Sequence, residues 1–203
     1  MLLKIHPENP SQRQILRAVE ILRQGGVIVY PTDTVYAFGC DIYQQKAVDK
    51  IAQLKGIRTE KADFSFIFSD LSQVSDYAKL FDNSIFKMMK AYLPGPFTFI
   101  LHARNNVPKL FQSKKKTIGI RIPDNNIALE LVRELGHPMM TTSIHDEDEL
   151  IEYTTDPELI YDKYKDKVDA IIHGGYGNNE PSTVVDCTSE EPLIIRQGIG
   201  IIE

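Results

Sequence analysis

Residues Val27–Gly39 read VIVYPTDTVYAFG. Four apolar or aromatic residues, Val27 to Tyr30, form a short run of the kind a buried strand makes. Pro31 ends it, because proline has no N–H to give to a sheet. Thr32, Asp33 and Thr34 then pack two hydroxyls and a carboxylate onto a turn, and Gly39 closes the segment. In an α/β sheet, ligands settle just past the carboxyl ends of strands. Thr and Asp are also common turn residues, so by itself the stretch fits either a ligand-bearing turn or a plain one.

Outward from this segment, strand and helix signals alternate. Ile15, Ala18, Val19 and Leu22 recur at helical spacing after Ser11, and Gly25-Gly26 stops that helix. A second helix is expected over Gln44–Leu54, delivering Lys55 and Arg58 at its end. Cations there also favour the negative end of the helix dipole. Phe64–Phe68, Phe97–Leu101, Thr117–Ile122, Met139–Ser143, Val168–Ile172, Ser182–Asp186 and Leu193–Arg196 read as strands. Helices fall at Asp70–Tyr77, around Ile85–Tyr92, at Asn126–Leu135 and at Glu158–Tyr164 after the Asp156-Pro157 start. The alternation implies one α/β domain. Helix-free connections such as that between Ser182–Asp186 and Leu193–Arg196 make the sheet mixed rather than purely parallel.

The 203 residues allow one domain with a sizeable core. There are 23 basic and 28 acidic residues, for a net charge of −5, which disfavours a whole-surface binder of nucleic acid or anionic membrane. The lysine run Lys114-Lys115-Lys116 still permits a local basic patch. No apolar stretch approaches the ~18 residues a membrane span needs. Cys40 and Cys187, with no secretory leader before them, read as reduced thiols of a cytoplasmic protein. The five histidines are scattered, and no metal-ligand spacing stands out.

Hydroxyls and arginines recur at strand ends and starts: Thr32 and Thr34, Thr117 with Arg121, Thr141 with Ser143, Ser182 with Thr183, and Arg196. Lys55 and Arg58 add charge. A guanidinium grips carboxylate or phosphate in a fork. There is no Ser/His/Asp spacing, dinucleotide fingerprint or P-loop, so no residue is assigned as nucleophile or base. The pattern suits a site that holds anions and aligns reactants. Arg121, embedded in a strand, wants an acidic partner or a ligand.

Taken together, PTDTVYAFG, TIGIRIPDN (from Thr117), MMTTSIH (from Met139), PSTVVD (from Pro181) and LIIRQG (from Leu193) resemble, in order, the motifs of the YrdC/YciO superfamily. The opening lines, with IHPENP, are closer to the YciO branch. The resemblance implies a single YrdC-like domain over 1–203 (core about 11–200), a twisted mixed sheet with flanking helices and a large concave cavity. It implies synthesis of threonylcarbamoyl-AMP from L-threonine, bicarbonate and ATP, with Mg²⁺ accompanying ATP, no protein-bound metal site and pyrophosphate released. The product feeds N6-threonylcarbamoyladenosine formation at tRNA position 37, with tRNA-modification proteins as partners. Carried over by motif, Thr32, Thr34, Arg121, Thr141 and Ser182 hold threonine, and Lys55, Arg58, Thr117, Ser143 and Arg196 hold ATP. The YciO branch implies instead a nucleotide- or double-stranded-RNA-binding protein with little or no synthase activity, with Lys114–Lys116 as an RNA contact. The family's Lys-x-Arg is here Lys55-Gly56-Ile57-Arg58, and one extra residue turns a helical side chain by about 100°. Its Ser-x-Asn is Ser143-Ile144-His145, and a histidine usual in the family aligns near Ile67.

Overall fold

The computed structural model describes residues 1–59, 64–108, 116–144 and 152–202. Along the chain the elements are β1 (Leu2–Lys4), α1 (Gln12–Arg23), β2 (Ile28–Tyr30), β3 (Ala37–Asp41), α2 (Gln45–Leu54) and β4 (Ser65–Ile67). There follow α3 (Leu71–Tyr77), α4 (Asn83–Tyr92), β5 (Phe97–His102), β6 (Thr117–Arg121), α5 (Asn126–Leu135) and β7 (Met139–Ser143). The last are α6 (Glu152–Thr155), α7 (Pro157–Tyr164), β8 (Ala170–His173), β9 (Thr183–Asp186) and β10 (Leu193–Arg196). Asp70, Asn125 and Asp156 cap α3, α5 and α7 by accepting N–H groups of the first turn. Gly136 ends α5 at φ 87°, a left-handed position a side chain would strain. Ser11 stands before α1, but its hydroxyl makes no cap bond.

The described strands form one mixed sheet in the order β1-β8-β2-β3-β7-β4-β6-β5-β9-β10. Two strands were not anticipated. β1 is only three residues long, and β3 begins inside the segment that Gly39 was expected to close. Gly39 lies within β3, and a Cβ there would sit 2.8 Å from the Tyr30 ring. It is small because an aromatic ring crosses the strand, not because the chain turns.

Alternation along the strands gives the sheet two unlike faces. Val29, Phe38, Phe66, Met140, Ile120, Phe99 and Val185 share one face and are all buried. The second face starts apolar: Ile28, Ile67, Met139, Ala170 and Ile172 pack with Ile15, Val19 and Leu22 of α1 and Ile127, Leu131 and Val132 of α5. Farther along that face the inward positions become small and polar.

Candidate functional site

Register locates this polar stretch. Thr141 on β7 lies opposite Gly39 and Ser65, and Ser65 lies opposite Gly119 on β6. Paired residues point to the same side, and side chains two apart share a face. Thr117, Gly119 and Arg121 therefore face the same way as Ser65, Thr141 and Ser143. On β5 the matching residue is Thr98, whose hydroxyl lies 2.8 Å from Ser182 Oγ. A Cβ on Gly119 would meet Ser65 Oγ at 2.6 Å and Thr98 Cγ2 at 3.2 Å, so the glycine lets these hydroxyls crowd together. Arg196 on β10 pairs with Val184 and completes the row.

The turn between β2 and β3 forms the other wall. In the sheet, β7 and β4 stand between β3 and β6. Arg121 Nη2 nonetheless donates to Asp33 Oδ1 and Thr34 Oγ1, each at 3.0 Å. The turn therefore folds across the sheet rather than continuing its edge. Thr32 Oγ1 holds the turn's shape by donating to Val35 O at 2.8 Å and accepting the Thr34 N–H at 3.0 Å. Asp33 Oδ2 accepts the Asp124 N–H at 3.1 Å, tying the turn to the loop after β6. Burial pushes the Asp33 carboxyl above the usual carboxylate range, outweighing the pull of Arg121. A cleft of about 480 Å³ opens beside this turn, lined by Thr32, Asp33, Thr34, Thr155, Tyr176, Gly177, Asn178 and Asn179.

Three further contacts anchor the row. The Tyr30 hydroxyl lies 2.7 Å from Thr141 Oγ1, and burial pushes the Tyr30 phenol far above its ordinary range, so it keeps its proton. Lys55 Nζ donates to Ser143 O at 2.7 Å, bringing an ammonium from the end of α2 to the end of β7. Arg196 donates through Nε and Nη2 to Ser182 O at 3.2 and 2.8 Å, and through Nη2 to Ser182 Oγ at 3.3 Å. Burial lowers the Arg196 guanidinium's proton affinity, and the charge of Arg121 lowers it further. The two guanidiniums are thus close enough to feel one another.

Of the residues singled out by motif, Thr32, Thr34, Arg121, Thr141, Ser143, Lys55, Ser182 and Arg196 converge on this wall and floor. Thr117 shares the face but stands at the far end of β6, opposite His102. Arg58 is exposed, and among the described residues it makes no hydrogen bond or ion pair. Lys116 is exposed before Thr117, while Lys114, Lys115 and His145 lie outside the described residues. The motif sorting into threonine and ATP residues is crossed by one contact: Ser182 from the first set holds Arg196 from the second. Asp33, Ser65 and Thr98 join the site without having been singled out. The expectation that Arg121 wants an acidic partner or a ligand named no particular acid, and nothing local pointed to Ser65 or Thr98.

The arrangement offers cations, hydroxyls and no activated nucleophile. Cys40 and Cys187 are buried, and burial raises both thiols, that of Cys187 to about 11. Among the described residues no group of His, Cys, Asp or Glu could hold a metal ion, and no helix is long and apolar enough to cross a membrane.

A family model described as telomere recombination, covering Sua5, YciO and YrdC, matches residues 20–198. The uncharacterized protein YciO of Escherichia coli is 45% identical over 98% of this chain and 96% of its own. Its crystal structure superposes with a TM-score of 0.91. A threonylcarbamoyl-AMP synthase of Nitrosococcus oceani is 36% identical over 62% of this chain and 68% of its own. P. abyssi Sua5, solved in complex with L-threonine, superposes with a TM-score of 0.87 at 25% identity, over 98% of this chain but 57% of the Sua5 chain. By sequence and by fold, the chain belongs to the Sua5/YciO/YrdC family.

Proposed function

We propose that the protein is a threonylcarbamoyl-AMP synthase, joining L-threonine, bicarbonate and ATP and releasing pyrophosphate, with the product serving threonylcarbamoylation of tRNA adenosine 37. The observation that carries this reading is the convergence of Arg121, Thr141, Ser182 and Arg196 on one face beneath the turn holding Thr32 and Thr34. The sequence relative named as a synthase and the Sua5 structure solved with L-threonine support it.

In this reading threonine sits under the turn, its carboxylate toward Arg121 and its hydroxyl among Thr32, Thr34 and Thr141. Its amine takes up bicarbonate carbon with loss of water, giving a carbamate. A carbamate oxygen then attacks the α-phosphorus of ATP, and the bond to pyrophosphate breaks. Lys55 and Arg196 hold the phosphates and absorb the charge that builds on the leaving group, an electrostatic task that suits a preorganised site. Thr117 and Ser143 complete the nucleotide side. Mg²⁺ would arrive on the triphosphate, since the acid at the site, Asp33, is already paired; when bound it would draw charge from the phosphates.

Two observations favour a second reading. Arg58, which the family places with Lys55, faces solvent, and the 45% identity with YciO covers 98% of the chain. The alternative is a nucleotide- or double-stranded-RNA-binding protein with little or no synthase activity. Incubation with ATP, threonine and bicarbonate decides between them. The synthase reading expects pyrophosphate and threonylcarbamoyl-AMP, both lost in Arg121→Ala. ATP binding with no pyrophosphate supports the alternative. RNA binding that weakens with salt and when Lys114–Lys116 are neutralised would extend it.

A further inference from the structure

The Asp33–Arg121 pair bridges the turn and the sheet, and both side chains are only 8% exposed. Arg121 Nη2 is committed to Asp33 Oδ1 and Thr34 Oγ1. Its Nε is buried and has no hydrogen-bond partner. Asp33 is itself held from the far side by the Asp124 N–H. One carboxylate thus fixes where the guanidinium lies and cancels its charge.

Charge cancellation matters because the proposed site must sort two anions. An unpaired guanidinium takes phosphate as readily as carboxylate. Arg196 donates to neutral oxygens of Ser182 and keeps its charge. Arg121 has a carboxylate already on it. A triphosphate gains more from the first; a single carboxylate oxygen needs only one well-aimed N–H from the second.

We propose that Asp33 is a positioning and specificity residue: it locks the Arg121 guanidinium beneath the turn for the substrate carboxylate, and it keeps phosphate off that guanidinium. The role rests on the assignment of Arg121 to threonine made above.

The test is threonine binding by calorimetry, without turnover, on the full chain. Wild type, Asp33→Asn and Asp33→Glu are each measured with and without inorganic pyrophosphate. Asparagine keeps the shape and an acceptor for the Asp124 N–H but removes the charge. In wild type, pyrophosphate leaves threonine affinity unchanged. Asp33→Asn binds threonine about tenfold or more weakly, and pyrophosphate now competes with it. Asp33→Glu recovers affinity and loses the competition. A purely structural role would not create competition by pyrophosphate. Asp33→Asn matching wild type in both respects overturns the role of Asp33 and leaves the substrate assignment standing. Wild type that binds no threonine overturns the assignment and this role with it. Should Asp33→Asn fail to fold, wild type alone decides through the Arg121 Nε–H nuclear magnetic resonance, identified by its loss in Arg121→Lys. That signal moves with threonine and stays still with pyrophosphate; movement with pyrophosphate overturns the proposal.

Discussion

A guanidinium enclosed as tightly as that of Arg121 persists because its Nη2 meets two oxygens, one of them charged. Removing one member of a buried ion pair costs roughly 3–5 kcal/mol when the other is left charged. Asp33 has a way to soften that loss, since burial already raises its carboxyl and it can take a proton once Arg121 is gone. A second acid, Asp41, works in the opposite sense. It lies 3.5 Å from His137 Nε2 and accepts the Tyr43 N–H through Oδ1. Burial pushes the His137 imidazole down, but Asp41 and the Pro138 carbonyl outweigh it, so the folded value lies above the ordinary one. A group raised on folding contributes stability that is fully present below its unfolded pKa, near 6.5. That stability is lost as pH climbs through the folded value. The stability gap between wild type and His137→Gln, read by urea denaturation, is therefore expected to be wider near about pH 5.5 than near about pH 8.5. A gap that is flat or widens with pH would remove the ion pair from the account.

At the scale of elements, the site depends on where β9 and β10 meet. A Cβ on Gly198 would lie 2.2 Å from Pro181 O and 2.6 Å from the Ser182 carbonyl carbon, both backbone. Nothing flexible can yield there, so Gly198→Ala must shift the segment Pro181-Ser182 that leads into β9 and, with it, the carbonyl that Arg196 holds. Overpacking of this kind costs about 1–3 kcal/mol. The variant is expected to melt earlier and to raise KM for ATP more than for threonine; unchanged KM values with a normal melt would refute the link. The same elements show what sequence could carry. Hydroxyls two apart on one strand, Thr141 and Ser143, and Thr117 before Arg121, announce a polar face through local alternation alone. The neighbours of those strands are fixed by the sheet order, in which β7 sits between β3 and β4 and β6 between β4 and β5. No periodicity encodes that order, so Ser65 and Thr98 stayed invisible as members of the row. β3 was missed for a related reason: Gly39 reads as punctuation until the Tyr30 ring is seen lying against it.

Over the whole molecule, the sheet's apolar face is sealed, and the other face is half covered by α1 and α5 and half lined by hydroxyls and cations. The net charge of −5 leaves little general attraction for anions, which puts the weight on local cations, among the described residues Lys55, Arg121 and Arg196. A fold built this way should gain stability from its ligands, because they bind the assembled face and not the unfolded chain. At a hundred times Kd, one ligand adds about 2.7 kcal/mol. For a chain near this size each kcal/mol raises Tm by about 2–4 °C, which puts the shift at about 5–10 °C. On the proposed assignment, threonine would bind at Arg121 and a non-hydrolysable ATP analogue at Arg196. Asp33 already offsets the charge of Arg121, so the two ligands are expected to bind independently and together to raise Tm by about the sum of their separate shifts. Arg121→Ala should abolish the threonine shift and keep that of the analogue, while Arg196→Ala should do the reverse. Equal losses of both shifts in both variants, with unliganded melts still cooperative, would mean that the two arginines do not divide the ligands between them.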